Sequence, residues 1–223
     1  CKIFNYINSK QVSMLERPLK ETGIEIFIRY NEAINILHKV KYFNEQTYGG
    51  IVSSRKPFGI ESNFSKFVLS ESKTHNIKLY KVGGVGFIEE KDVVSKKELI
   101  DKIKVIVSKA SPGDDTYPHK IISEPIIALP KSVCTETYLV IDILENENQA
   151  KNLIKYMKTN FFRFMMSLVK NTQNITKGVF VFVPKLNMDE EWTDEKLYKK
   201  YKLKQDEIDF IATIVKKMDS SDE

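Results

Sequence analysis

The chain has 223 residues, 42% of them apolar, and a formal net charge of +5; this suffices for one substantial core and excludes an intrinsically disordered chain. Two cysteines, Cys1 and Cys134, supply neither a disulfide framework nor metal-ligand spacing, so a reducing cytoplasm is the expected compartment. No apolar run approaches the ~20 residues that span a bilayer and no charged-plus-apolar leader opens the chain, which predicts a soluble protein without a membrane partner; a first residue of Cys rather than Met suggests a fragment of a longer protein.

Residues 3–20 carry Ile7, Val12, Leu15 and Leu19 at irregular spacing, with Pro18 closing any helix, and fit neither period. Residues 23–30 alternate or run apolar over strand length. A helix is expected from Asn31 through Lys41, with Ala33, Ile34, Leu37, His38 and Val40 on or near its inner face and His38 an ordinary, partly buried histidine. Residues 1–47 thus read as an N-terminal connecting segment with strand and helix, ahead of a main domain over 48–223.

In residues 48–59 a short apolar pair runs into Ser53, Ser54, Arg55 and Lys56, and Pro57 and Gly59 then make a loop. The serines can give neutral and the cations charged hydrogen bonds to phosphate; the same residues also suit a solvated loop whose cations face water. Residues 64–69 suit a short strand or turn, and residues 76–82 a strand. The glycines from Gly83 to Gly86 lack a complete dinucleotide fingerprint, and no Gly-Lys-Ser or Gly-Lys-Thr follows, so they read as a tight hairpin into residues 85–88.

Ser95 with Glu98 matches a capping box and predicts a helix from 96 to about 102, before a strand over 104–108. The polar loop 109–120 holds Lys109 and Lys120. Asp114, Asp115 and His119 within it could form a metal or acid–base cluster, but Asp-Asp after Pro-Gly is ordinary turn chemistry. Strands are expected at 121–122, 125–129 and 134–141, with Cys134 a buried structural thiol because no cation or histidine neighbours it in sequence.

Residues 148–188 contain seven Lys or Arg and no Asp or Glu, and acidic residues resume at Asp189. Leu153, Met157, Phe161, Phe164 and Leu168 recur at helical spacing, while Lys151, Lys155, Lys158 and Arg163 fall largely off that stripe. This predicts a long central helix that ends at Lys170 and delivers a loop, Asn171, Thr172, Gln173, Asn174, Ile175, Thr176 and Lys177, in which every residue except Ile175 can donate a hydrogen bond from its side chain. The loop suits an anionic, hydrogen-bond-rich partner, or else simply caps the helix and turns the chain. A buried strand over 179–183, a helix capped by Thr193 and an amphipathic terminal helix over 205–215 complete a mixed α/β (α+β) chain.

Five segments, SRKPFG at 54–59, CTETY at 134–138, KTNFFRFMMSLVKNTQ at 158–173, VFVP at 181–184 and WTDEKLYKKY at 192–201, resemble the C-terminal target-recognition region of adenine-specific DNA methyltransferases from bacterial type II restriction–modification systems, some of them fused to endonucleases. The similarity spans roughly residues 48–223. It implies a target-recognition-domain-like mixed sheet with the central and C-terminal helices, double-stranded DNA as partner, and a separate catalytic domain or subunit that binds S-adenosylmethionine. The sequence contains no Asn-Pro-Pro-Tyr or Asp-Pro-Pro-Tyr and no glycine-rich cofactor loop, so neither catalysis nor a cofactor is expected within it.

For such a module, Lys and Arg position the phosphates while Asn, Gln and Arg read base edges. The phosphate candidates are Arg55, Lys56, Lys109, Lys120, Lys170 and Lys177, with Lys151, Lys155, Lys158 and Arg163 on the helix. Gln173, Asn171 and Asn174 are the candidate base readers, Thr172 and Thr176 auxiliary donors or thymine-methyl contacts, and Ser54 a neutral donor to phosphate. Two other functions remain open: a nuclease using Glu136 and Asp142, although neither is followed by the usual carboxylate-x-Lys pattern, and a scaffold that docks another subunit through Phe161, Phe162, Phe164, Met165 and Met166.

Overall fold

The computed structural model describes residues 1–7, 9–111 and 118–218. The expected mixed α/β class is what it contains: five helices and three small sheets among those residues. The unassigned N-terminal residues form a hairpin of β1 (Lys2–Ile7) and β2 (Lys10–Glu16). Its inner side is fixed by polar groups. Asn5 Oδ1 accepts from the Asn31 backbone N–H at 2.8 Å, Asn31 Oδ1 accepts from Arg17 Nε at 2.9 Å, and Arg17 Nη2 donates to the Ile28 carbonyl. That network holds residues 28–31 in an irregular path, so no strand forms over the apolar run at 23–30. Helix α1 (Ala33–Tyr42) follows, with Ile36 and Leu37 fully buried.

The centre of the molecule is a three-stranded antiparallel sheet ordered β6 (Ile126–Ala128), β5 (Ile103–Ser108), β8 (Tyr138–Leu144). Side chains alternate across a pleat, and here both faces are buried. Val105, Val107, Leu139 and Ile141 enter a large core with the helices, whereas Ile106, Ala128 and Val140 enter a smaller one. The second core is closed by another sheet, ordered β4 (Gly84–Ile88), β3 (Ile77–Lys81), β7 (Ser132–Cys134), in which β3 pairs antiparallel with β4 and parallel with β7. The expected hairpin between β3 and β4 is present, with Gly83 at φ +78° in its turn.

Lys104, on the smaller-core face of β5, is fully buried, and its ammonium donates to the carbonyls of Leu99 (2.8 Å), Ile100 (3.2 Å) and Lys102 (2.6 Å). Burial lowers its pKa to about 8 and pushes the neighbouring Cys134 thiol up to about 12. Cys134 is thus a buried, unreactive thiol. The helix expected from Ser95 is only a single 3-10 turn, Lys97–Leu99. Lys96 adopts φ +51°, which breaks the capping geometry, and the carbonyls released there are the ones Lys104 collects.

The expected long central helix is two helices, α2 (Glu147–Lys158) and α3 (Asn160–Ser167). Thr159 separates them at ψ 149°, its hydroxyl accepting from Phe162 N at 3.1 Å as the cap of α3. The carboxylate of Asp194, at the start of α4 (Asp194–Lys200), accepts from the N–H groups of Asn160 and Phe161 at 2.9 Å each. Four or so free N–H groups at a helix start need acceptors, and this pairing supplies two of them. Residues 161–168 are buried on every side, as in a helix that runs through a core rather than over it. Tyr201 stacks on Phe161, and Phe210 of α5 (Gln205–Ile214) packs edge-on against Phe164.

Burial on all sides changes the role of Arg163. The off-stripe cation expected to reach phosphate is fully buried. Its Nε donates to the Thr159 carbonyl (3.2 Å), Nη1 to the carbonyls of Lys120 (3.4 Å) and Lys216, and Nη2 to the Lys158 carbonyl (3.0 Å) and Asn160 Oδ1 (2.9 Å). Residues 179–183 are likewise not a strand. The turn Lys177–Phe180 buries Val179 and Phe180 and leads to Val183 in the same core; a short apolar run suits either geometry. Arg163→Met keeps most of the volume but removes every donor. Because each carbonyl left buried without a donor costs about 1–3 kcal/mol, chemical denaturation should show a loss on the order of 3 kcal/mol or more.

Candidate nucleic-acid interface

The polar loop that follows α3 is fixed chiefly by its backbone, and most of its side chains point outward. Residues 171–174 and 176–178 are exposed while Ile175 between them is fully buried. The residues just past β5 form a ladder with this loop: Lys109 N donates to the Thr137 carbonyl (2.8 Å), Ile175 N donates to the Lys109 carbonyl (2.8 Å), and Ala110 bridges Asn174. Ser111 then donates to the Gln173 carbonyl from both its N–H (3.2 Å) and its hydroxyl (2.6 Å). The loop therefore acts as an extra strand beside the end of β5. Strand-like pairing with one buried anchor holds Asn171, Thr172, Gln173 and Asn174 outward without packing their side chains. On the near side, Arg29 Nη2 donates to the carbonyls of Ser167 (3.2 Å) and Lys170 (3.0 Å) at the end of α3.

The loop at 53–56 approaches from the opposite edge of the sheet. Ser53, read from sequence as a phosphate donor, is buried: its N–H donates to the Val140 carbonyl (2.9 Å) and its hydroxyl accepts from Val140 N (3.0 Å). It covers the free edge of β8 instead. Ser54 and Arg55 beyond it are exposed. Lys56, at φ +56°, is ion-paired with Glu61.

Arg55 makes an ion pair that the sequence gives no means of finding. Its Nε donates to Glu136 Oε2 at 2.7 Å across 81 positions. Glu136 lies in the link between β7 and β8; its N–H donates to the Ile60 carbonyl (2.9 Å) and its second carboxylate oxygen faces Ser62 N at 3.4 Å. The Arg55 guanidinium holds the Glu136 carboxyl down at about 2.

Arg55, Glu136, Lys109 and Asn174 line one open cleft of about 280 Å³, together with Ser62, Val82, Ser108, Ala110 and Thr137. The structure thus brings together one residue from each of three sequence-predicted loops: Arg55, Lys109 and Asn174. Among the described residues the Lys109 ammonium has no ion-pair partner, and the exposed Lys177 has none either. Asn171, Thr172 and Gln173 continue along the chain from Asn174, outside the cleft lining, as do Lys170, Thr176 and Lys177. Thr172 turns its hydroxyl back to the Asn174 carbonyl (3.1 Å).

Several candidates fall elsewhere. Lys120 is exposed but does not line the cleft; its carbonyl meets Arg163. Lys155 and Lys158 are tied to Glu191 and Glu124, while Lys151 is exposed on α2. Asp114 and Asp115 lie outside the described residues, and His119 is held by backbone pairing, its N–H to the Ile214 carbonyl (2.9 Å) and its carbonyl to Lys216 N (2.8 Å). Among the described residues no group of three His, Cys, Asp or Glu could hold a metal ion, and no helix is long and apolar enough to cross a membrane.

The arrangement presents outward amides and hydroxyls on a backbone-paired edge, two cations without carboxylate partners among the described residues, and a guanidinium braced from behind, groups suited to holding a ligand. No protein-family model matches the chain, and no curated protein matches it.

The depressed Glu136 value fixes a pH dependence. A carboxyl lowered by its partner contributes above its unfolded pKa, and the contribution fades as pH falls toward the folded value. The Arg55–Glu136 pair should therefore persist through mildly acidic solution and open only near pH 2. In Arg55→Ala the Glu136 carboxyl midpoint, followed by NMR, should rise from about 2 toward its ordinary value near 4.5.

Proposed function

We propose that this chain is the sequence-specific double-stranded DNA recognition module of a restriction–modification adenine-N6 DNA methyltransferase. Methyl transfer and S-adenosylmethionine binding belong, in this reading, to a separate domain or subunit. The observation that carries it is the exposed Asn171, Thr172, Gln173, Asn174 run, pinned by strand-like pairing through Gln173, Asn174 and Ile175 and flanked by a cleft that adds Arg55 and Lys109. Base edges demand amide and guanidinium donors and acceptors held at fixed positions, and phosphates demand unneutralised cations. Both are present on adjoining parts of one surface. The likeness of residues 48–223 to target-recognition regions supports the same reading.

The nuclease alternative gains nothing from Glu136 and Asp142. Each carboxylate is already engaged, Glu136 by Arg55 and Asp142 by Lys185 at 3.2 Å. The scaffold alternative loses its surface, because Phe161, Phe162, Phe164, Met165 and Met166 are all fully buried in the core of this chain.

Selection of bound sequences from a random duplex pool should enrich one short motif, with log affinity falling against log salt by about 0.9 per phosphate neutralised. Absence of duplex affinity at low salt overturns the proposal. Gln173→Ala should relax the preference at one base position, at a cost of about 1–3 kcal/mol in discrimination. Its exposed side chain makes no contribution to the fold, so the melting temperature should not move.

A further inference from the structure

The Arg55–Glu136 pair has a built-in asymmetry. Glu136 keeps only 10% of its side-chain exposure, whereas Arg55 keeps 67%. The carboxylate is anchored at the β7–β8 link by its own backbone and by Ser62, and takes only the Nε–H of the guanidinium. Among the described residues neither Nη of Arg55 has a protein partner. The outer fork of the guanidinium, with its four N–H groups, is therefore free at the wall of the cleft shared with Lys109 and Asn174.

Two acceptors in DNA fit a planar fork: the phosphate, which carries a charge, and the N7 and O6 pair of guanine, which does not. Charge decides between them. A carboxylate 2.7 Å from the guanidinium makes the pair close to neutral as seen from outside, so its attraction for a phosphate is largely cancelled. The geometry of two parallel N–H donors is untouched by that cancellation, and bracing at Nε removes the rotamer freedom that a long side chain would otherwise lose on binding. The nearby cation that keeps its full charge is Lys109, whose ammonium has no carboxylate partner among the described residues.

Building on the DNA-recognition reading, we infer that Arg55 reads a guanine in the major groove through its two Nη groups, with Glu136 as the positioning residue that aims it. Lys109 then serves the backbone, and Asn174 contacts a neighbouring base edge across the cleft.

The test is selection of bound duplexes, with affinity measured at several salt concentrations, for the full chain and for Arg55→Ala, Arg55→Lys, Glu136→Ala and Glu136→Gln. Thermal melting of each variant checks that the fold is retained. The unaltered chain should show one guanine whose replacement weakens binding about ten- to a hundredfold. Arg55→Ala should abolish that preference alone and leave the other positions of the motif intact. Arg55→Lys should fail to restore it, because an ammonium restores charge but not the fork. Glu136→Ala should weaken the guanine preference while binding to unrelated duplexes stays level or rises, since a negative charge has gone. Glu136→Gln, whose amide oxygen can still accept from Nε, should recover most of it. A merely structural role for Glu136 would instead lower affinity for all sequences together.

If Arg55→Ala weakens every duplex equally, the residue contacts phosphate and the inference is overturned. An unchanged motif in that variant overturns it too, while leaving the recognition module standing. Absence of duplex binding by the unaltered chain removes both.

Discussion

A buried guanidinium organises this protein. Arg163 sits in the middle of a helix enclosed on all sides, where a charge without partners would be untenable. Its five donated bonds reach the end of α2, the first turn of α3, the residue at 120 and the chain at 216. Desolvation lowers its pKa to about 10, so it remains charged at neutral pH and the carbonyls around it cannot be released. Segments distant in sequence are thus brought to one point by the need to solvate a single cation. The break at Thr159 belongs to the same arrangement, since it exposes the carbonyls that Arg163 takes.

From that point the chain passes through α3 to the outward loop, and the division of labour there is between main chain and side chain. Ile175 and the pairing with residues 109–111 set the path, while Asn171 to Asn174 face solvent. Charge is handled in a similarly divided way. Lys56, Lys155 and Lys158 are neutralised by nearby carboxylates, and Arg55 is neutralised yet left with a free fork. Lys109 keeps its field. Among the described residues this surface has few unpartnered cations, so what it offers is hydrogen-bond geometry more than bulk charge.

Much of this was readable in the residues. The β3–β4 hairpin follows from alternation in β3 and from glycine placement, β5 from its apolar run, and the Thr193 cap from its position three residues before Lys196, whose N–H it accepts. The exposed polar loop was legible because donors cluster there without apolar spacing. Arg163 was misread because the stripe argument presumes one solvent face, and α3 has none. The run at 179–183 carries no period that separates a strand from a buried turn. At Ser95 the capping signature was outweighed by the left-handed backbone at Lys96. The Arg55–Glu136 contact could not be found by any local rule, because its partners meet only through the tertiary fold.

The anchoring of the 171–175 loop has a consequence for how such a surface changes over time. The bonds that shape it are mostly between main-chain carbonyl and amide groups, joined by the Ser111 and Thr172 hydroxyls, and within the loop only Ile175 commits a side chain to the interior. Substitutions at Asn171, Gln173 and Asn174 therefore leave the fold nearly indifferent. A lineage carrying this scaffold can vary the chemistry of that exposed edge by drift at those positions, without first acquiring compensating changes in the core.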